Sequence, residues 1–278
     1  MDSISIGLWV SGGMLVMVLL GMRVAFAAGM AGFVGLVWLR WNGYDYDPEK
    51  FGKALQVSVR IAGLTPQSKV SANVLSLIPV FILIGYLAYY AKLTTALFEA
   101  CKRWFAWVPG GLAVSTVFAT AGFAAVSGAS VATAAVFARI AIPEMLKIGY
   151  NKQFAAGVVA AGGTLASLIP PSAILVIYAI IVEQDVGKLL LAGVIPGLIT
   201  AAAYVIGILV IVRVKPEWVP QHKERYSWGE RFGSLKTVWA VMLLSFIIIA
   251  GIYTGTVPPS AAGSVGAVGA IVIVLFMR

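Results

Sequence analysis

Histidine and cysteine occur once each in 278 residues, as His222 and Cys101. One of each cannot make a disulfide, a cysteine-based metal cluster or a catalytic triad. Charge is scarce too: Asp, Glu, Lys and Arg supply 11% of the chain and hydrophobic residues 60%, where soluble domains carry about 25% charged residues. The phosphate loop G-x-x-x-x-G-K-[ST], H-E-x-x-H and G-x-S-x-G are all missing, so ATP hydrolysis and metallopeptidase or esterase chemistry have no residues to act through. A serine nucleophile inside the apolar runs would find no base. The chain is expected not to be an enzyme, with His222 a solvated loop residue and Cys101 an inert thiol.

What the chain has is apolar length. Runs able to cross a hydrocarbon core, which takes about 20 residues, fall at residues 4–22, 24–39, 74–91, 154–182, 188–212 and 237–253. The expected fold class is an all-α polytopic membrane protein. Ahead of the first run, MDSISIGLWV carries only Asp2, so the basic region of a cleavable signal peptide is missing and the first span is expected to stay.

The net charge of +9 sits in short loops between runs rather than along one helix face, which fits the positive-inside rule and not nucleic acid. With the N-terminus outside, Arg23 and the loops 92–109, 139–152 and 213–236 fall inside. That puts about 13 Lys and Arg inside against about 6 outside, a bias of the kind that sets topology.

Two stretches suit the membrane interface. In YDYDPEKFGKALQVSVRIAGL, Asp47 reads as an N-cap with Pro48 at the first helical position and Glu49 near the positive dipole end. Phe51, Leu55 and Ala62 recur at helical intervals, with Tyr44 and Tyr46 as anchors; a plain loop with one helical turn is the alternative. In LTTALFEACKRWFAWVPG, Leu93, Leu97, Phe98, Trp104 and Phe105 share one side and Lys102 with Arg103 the other. Its alternative is a connector whose aromatics pack on neighbouring helices.

The segment 110–142, about 33 residues, is too long for one span and too short for two. Near its middle lies SGAS, Ser127 to Ser130, flanked by small apolar residues. A re-entrant hairpin turning at Ser127, Gly128 and Ser130 is the predicted structure, against a single long tilted helix packed through its small residues. Irregular backbone at that depth must be buried in protein or line a watery cavity, so the tip is a candidate site of hard oxygen donors.

A second break lies in GGTLASLIPPSA, residues 162–173. Gly162 and Gly163 admit a neighbouring backbone, and Pro170 with Pro171 strips two donors from the helix, freeing carbonyls one turn earlier. A second half-helix would start at Pro171 and Ser172 with its positive pole at mid-membrane. A proline kink that only shapes packing is the bland alternative. The runs hold almost no ionisable residue for a proton relay, so coupling through backbone and hydroxyl oxygens, hence Na⁺, is favoured over H⁺. The predicted cation site joins Ser127, Gly128 and Ser130 to Gly163, Thr164, Ala166, Ile169, Pro170 and Pro171. Ser127, Ser130 and Ser172 are predicted to lie next to the substrate, and no cofactor beyond Na⁺ is expected.

Four blocks in order, IPVFILIGYLAYYAKL, PGGLAVSTVFATAGFAAVSGASVATAA, IPEMLKIGYNKQFAAGVVAAGGTLASLIPPSAILVIYA and GKLLLAGVIPGLI, resemble the large membrane subunit of tripartite ATP-independent periplasmic (TRAP) transporters, the DctM-like permeases. Ala129 and Ala166 stand where members typically carry Ser and Gly; backbone coordination survives both, although Ala166 narrows the freedom Gly would allow. The resemblance implies an elevator-type carrier in the bacterial inner membrane that imports organic anions, carboxylates above all, with Na⁺. It implies two partners, a small four-helix membrane subunit and a periplasmic solute-binding protein.

It further implies scaffold spans and interfacial arms over residues 1–109, a transport block over 110–186, and further spans over 187–278 with the cytoplasmic loop 213–236 and the opening of a second inverted repeat. SGAS and GGTLASLIPP do not recur, so the expectation is a first half or truncated form. Two other readings stay open: a related elevator symporter working without a binding protein, and an inactive membrane scaffold.

Overall fold

The computed structural model describes residues 2–70, 77–220 and 226–276, so His222 lies outside the described residues. The chain divides into two compact units, Met1–Ala72 and Asn73–Arg278. Among the described residues the regular structure is helical throughout.

The first unit holds α1 (Ser3–Leu19), α2 (Val24–Asn42) and α3 (Phe51–Val70). α1 and α2 pack through small residues, with Ala27 and Ala31 buried and Val10 of α1 against Gly35. The 17 residues of α1 rise about 26 Å at 1.5 Å each, so the first predicted span is shorter than its apolar run. Asp47 caps as expected: its carboxylate accepts from Glu49 N at 3.0 Å and pairs with Lys50 at 3.1 Å, and Pro48 opens a 3₁₀ turn that runs into α3. That Lys50 contact holds the Asp47 carboxyl below its ordinary range. α3 is a full 20-residue helix rather than a loop, and it exposes Phe51, Leu55 and Val59.

The second unit is built around one buried hairpin. Its elements are α4 (Leu77–Tyr90), α5 (Leu93–Phe105), α6 (Gly111–Ser127), α7 (Ser130–Lys147), α8 (Lys152–Thr164), α9 (Ala173–Ile181), α10 (Val186–Val214), α11 (Trp228–Tyr253) and α12 (Pro259–Phe276). α6 is the centre: 13 of its 17 residues are buried, among α4, α5, α7, α8, α10 and α11. Its hydroxyls are satisfied there because Ser115, Thr116 and Thr120 donate back to the carbonyls of Gly111, Leu112 and Thr116 at 2.6, 2.8 and 2.9 Å. Phe123 of α6 meets Phe137 of α7 edge to face at 5.9 Å, and Phe81 and Phe98 complete the aromatic core.

Among the described residues α2, α10 and α11 are each long and apolar enough to cross a membrane, and α4 with α5 make a fourth candidate bent by 68°. The predicted run 154–182 is no continuous span: α8, the 3₁₀ turn Leu165–Ser167 and α9 divide it. α5 is amphipathic as expected, but Trp104 and Phe105 are committed to neighbours, Trp104 Nε1 donating to Arg231 O at 3.2 Å and Phe105 stacking on Phe118 at 4.3 Å.

Two charged segments read as loops are largely helical. α7 continues through Pro143 to Lys147, so Arg139 rides on the return arm of the hairpin; Pro143 forfeits only one backbone bond, and the chain carries on beyond it. α10 and α11 likewise take residues 213–214 and 228–236 of the predicted loop 213–236, and Pro216–Trp218 forms a 3₁₀ turn.

Tyr150, in the short connection after α7, holds down the start of α6. Its hydroxyl accepts from the backbone N–H groups of Leu112 and Ala113, and burial pushes the phenol up to about 12. Tyr150→Phe leaves the Leu112 N–H unmet, since Ala113 N also donates to Gly110 O at 2.8 Å, a loss of roughly 1–3 kcal/mol for a buried group. Its thermal unfolding midpoint in detergent is expected to fall below that of the parent; an unchanged midpoint would show that these bonds do not hold α6.

Candidate functional site

α6 ends where the sequence places its break. Gly128 takes φ +60, the left-handed cap conformation, Ala129 is extended, and α7 starts at Ser130. The second break lies across from it. α8 passes into the 3₁₀ turn Leu165–Ser167, the Pro170–Pro171 peptide is cis, and α9 starts at Ala173 with Ser172 as N-cap.

One backbone bond ties the breaks together: Ala173 N donates to Gly128 O at 3.0 Å. A Cβ on Gly128 would stand 2.5 Å from Pro171 O, so no larger residue fits without movement. The neighbouring hydroxyls are buried and engaged. Ser127 Oγ pairs with Thr133 Oγ1 at 3.0 Å, and Thr133 donates to Ala129 O at 2.9 Å. Ser172 Oγ accepts from Leu175 N at 3.3 Å and donates to Ser167 O at 2.9 Å, a carbonyl deprived of its helical donor by Pro171. Pro170 removes the corresponding donor from Ala166 O, and Ala166 is fully buried.

Two helix C-terminal ends and two helix N-terminal ends therefore meet at one place. The C-terminal ends, α6 and the 3₁₀ turn, present carbonyls, which attract a cation. The N-terminal ends, α7 and α9, carry the positive ends of their dipoles, which attract an anion. No group of three His, Cys, Asp or Glu able to hold a metal ion occurs among the described residues, so oxygen donors here are backbone and hydroxyl.

Ser127, Gly128, Pro171 and Ser172 are brought together, with Ser130 opening α7 beside them. Gly163 packs against α7, where an added Cβ would lie 2.6 Å from Ala134 Cβ, while Gly162 faces Thr120 of α6. Ile169 lies against Gly197 of α10. Thr164 is turned elsewhere: its hydroxyl donates to Ala161 O at 2.7 Å and pairs with Tyr204 of α10 at 2.8 Å.

Four further residues contribute. Thr133 secures Ser127, and Gly85 of α4 lies against Ser127. Gly193 and Gly197 of α10 abut Leu168 and Ile169; their G-x-x-x-G spacing was the available signal.

The chain matches the family model described as "Tripartite ATP-independent periplasmic transporter, DctM component" over residues 11–278. It is 39% identical over 201 residues to the C4-dicarboxylate TRAP transporter large permease protein DctM of Pseudomonas aeruginosa, covering 72% of this chain and 46% of that protein. The Vibrio cholerae protein of the same name is 32% identical over 261 residues, 94% of this chain and 54% of that protein. The sialic acid TRAP transporter large permease protein SiaM of Vibrio cholerae is 32% identical over 195 residues, 70% of this chain and 45% of that protein. The chain spans about half the length of the curated relatives it matches. An all-helical, multi-pass membrane protein whose relatives are named as transporter permeases and not as enzymes, this chain belongs to the DctM family of TRAP large permeases.

Proposed function

We propose that the chain works in the large permease subunit of a TRAP transporter of the bacterial inner membrane, importing small organic anions together with Na⁺. The observation that carries this reading is the Ala173 N to Gly128 O bond, which joins two broken helices so that carbonyl ends and N-terminal ends share one place. Carbonyls of Ala166, Ile169 and Pro170 or Pro171, with the tip from Ser127 to Ser130, are the proposed Na⁺ ligands; Ser127, Ser130 and Ser172 are the proposed neighbours of the anion. Carboxylates are the favoured class, since relatives are named for C4-dicarboxylates and for sialic acid.

The proposed transport block is 110–186, sliding against scaffold helices in 1–109, with a small membrane subunit and a periplasmic solute-binding protein as partners and the N-terminus in the periplasm. Na⁺ bound between the two breaks would stiffen both and favour the anion beside it. Such coupling typically amounts to about 1–3 kcal/mol, or roughly 5- to 150-fold in anion affinity.

Uptake by the permease with its partner subunits in proteoliposomes is expected to follow an imposed Na⁺ gradient and to survive a protonophore. Uptake driven by a proton gradient alone would contradict the proposed ion. Omitting the binding protein is expected to abolish uptake; full uptake without it would favour a symporter that needs none.

Two glycines separate the site from its surroundings. Gly128→Ala adds a Cβ at φ +60 and against Pro171 O, whereas Gly157→Ala meets nothing within 4 Å. The first is expected to cut initial uptake about tenfold or more, since roughly 1.4 kcal/mol is already a factor of ten, and the second to leave it unchanged. Equal rates in both would detach transport from the tip geometry.

A further inference from the structure

A crevice of about 300 Å³ opens between α5 and α11, away from the two breaks, lined by Lys92 at the N-cap of α5, by Thr95, Glu99 and Arg103 of α5 with the small apolar Ala96 and Ala100 between them, and by Ser234 and Thr237 of α11. The α5 residues recur at helical spacing and form one stripe. At its head Lys92 holds a left-handed φ of +58, a conformation uncommon for a residue with a side chain. The side chains of Lys92, Glu99 and Arg103 enter no ion pair of their own among the described residues. Glu230, the acid that feels the charge of Arg103, is occupied in the capping box of α11, where its carboxylate accepts from Ser227 N at 2.7 Å.

The surroundings carry the residue types of a membrane interface. Trp104 meets Phe232 edge to face at 5.7 Å, Trp228 stacks on Phe232 at 6.2 Å, and Arg231 lies 4.9 Å over the Trp228 ring. Tryptophan beside Lys and Arg at the end of an apolar span marks the headgroup level. From there α11 presents an exposed apolar flank of Phe232, Trp239, Met242 and Phe246. A crevice that carries charged and hydroxyl side chains over a small apolar floor, beside an apolar flank, suits a molecule with a charged head and acyl chains.

We propose that this crevice is a phospholipid site selective for a phosphoethanolamine headgroup. Arg103, with the hydroxyl of Thr237, takes the phosphodiester, as basic pockets between membrane helices do. Glu99 accepts the ammonium. The carboxylate is what chooses the headgroup: it repels a purely anionic lipid and finds no N–H donor on a quaternary choline.

Native mass spectrometry of the purified chain, exchanged in turn into phosphatidylethanolamine, phosphatidylcholine and phosphatidylglycerol, tests this without any substitution. One ethanolamine lipid is expected to stay bound with about tenfold preference over either competitor, and millimolar inorganic phosphate is expected not to displace it. Equal retention of the three lipids would overturn the proposal. Displacement by inorganic phosphate would also overturn it, in favour of a free-phosphate site. Arg103→Gln is expected to lower retention of the ethanolamine lipid, and Glu99→Gln to raise phosphatidylglycerol to parity with it, both with the parent's thermal midpoint in phosphatidylcholine. Unchanged preference in correctly folded variants would place the lipid elsewhere.

Discussion

Every backbone N–H and C=O inside an apolar surround needs a partner, and a helix break there creates several without one. The protein meets that demand by setting one break against another. Gly128 O, at the end of α6, receives Ala173 N, at the start of α9. Ser172 turns back to the Ser167 carbonyl that Pro171 leaves bare, and Ser127 pairs with Thr133. The packing around these bonds follows from them: small residues on α6, α7 and α8 are needed so that the two breaks can approach, and a buried α6 is needed so that neither meets lipid.

The same arrangement leaves some groups for a ligand. Protein bonds engage the hydroxyls of Ser127 and Ser172, whereas the helical donor to Ala166 O is gone. A cation bound by carbonyls from both breaks would therefore act as a second tie between elements already joined by one. That is the physical route by which ion binding and anion binding can be linked in a site with no ionisable side chain.

Much of this was legible in the chain. GGTLASLIPP announces a break because proline has no N–H to give, and the length of the segment around SGAS fits a hairpin and no simple span. Less legible was direction. Gly162 and Gly163 are adjacent, yet about 100° of helical rotation sends one to Thr120 of α6 and the other to Ala134 of α7. The next residue, Thr164, is carried round to Tyr204, a partner forty positions away that no local pattern indicates. Helix ends are hard to read for a related reason: Arg139 and Pro143 look like the edge of a loop, but packing of α7 against α6 and α8 carries the helix past them.

The central claim is that the tip at Ser127–Ser130 and the break at Leu165–Ala173 form one ion-dependent unit. Hydrogen–deuterium exchange on the reconstituted permease, in Na⁺ and then in an equal concentration of choline, reads both segments in one experiment. The account predicts that Na⁺ slows exchange at Gly128, Ala129 and Ser130 and at Leu168, Ile169 and Ala173 together, with the same dependence on ion concentration. Protection of one segment without the other, or the same exchange in both salts, would contradict it.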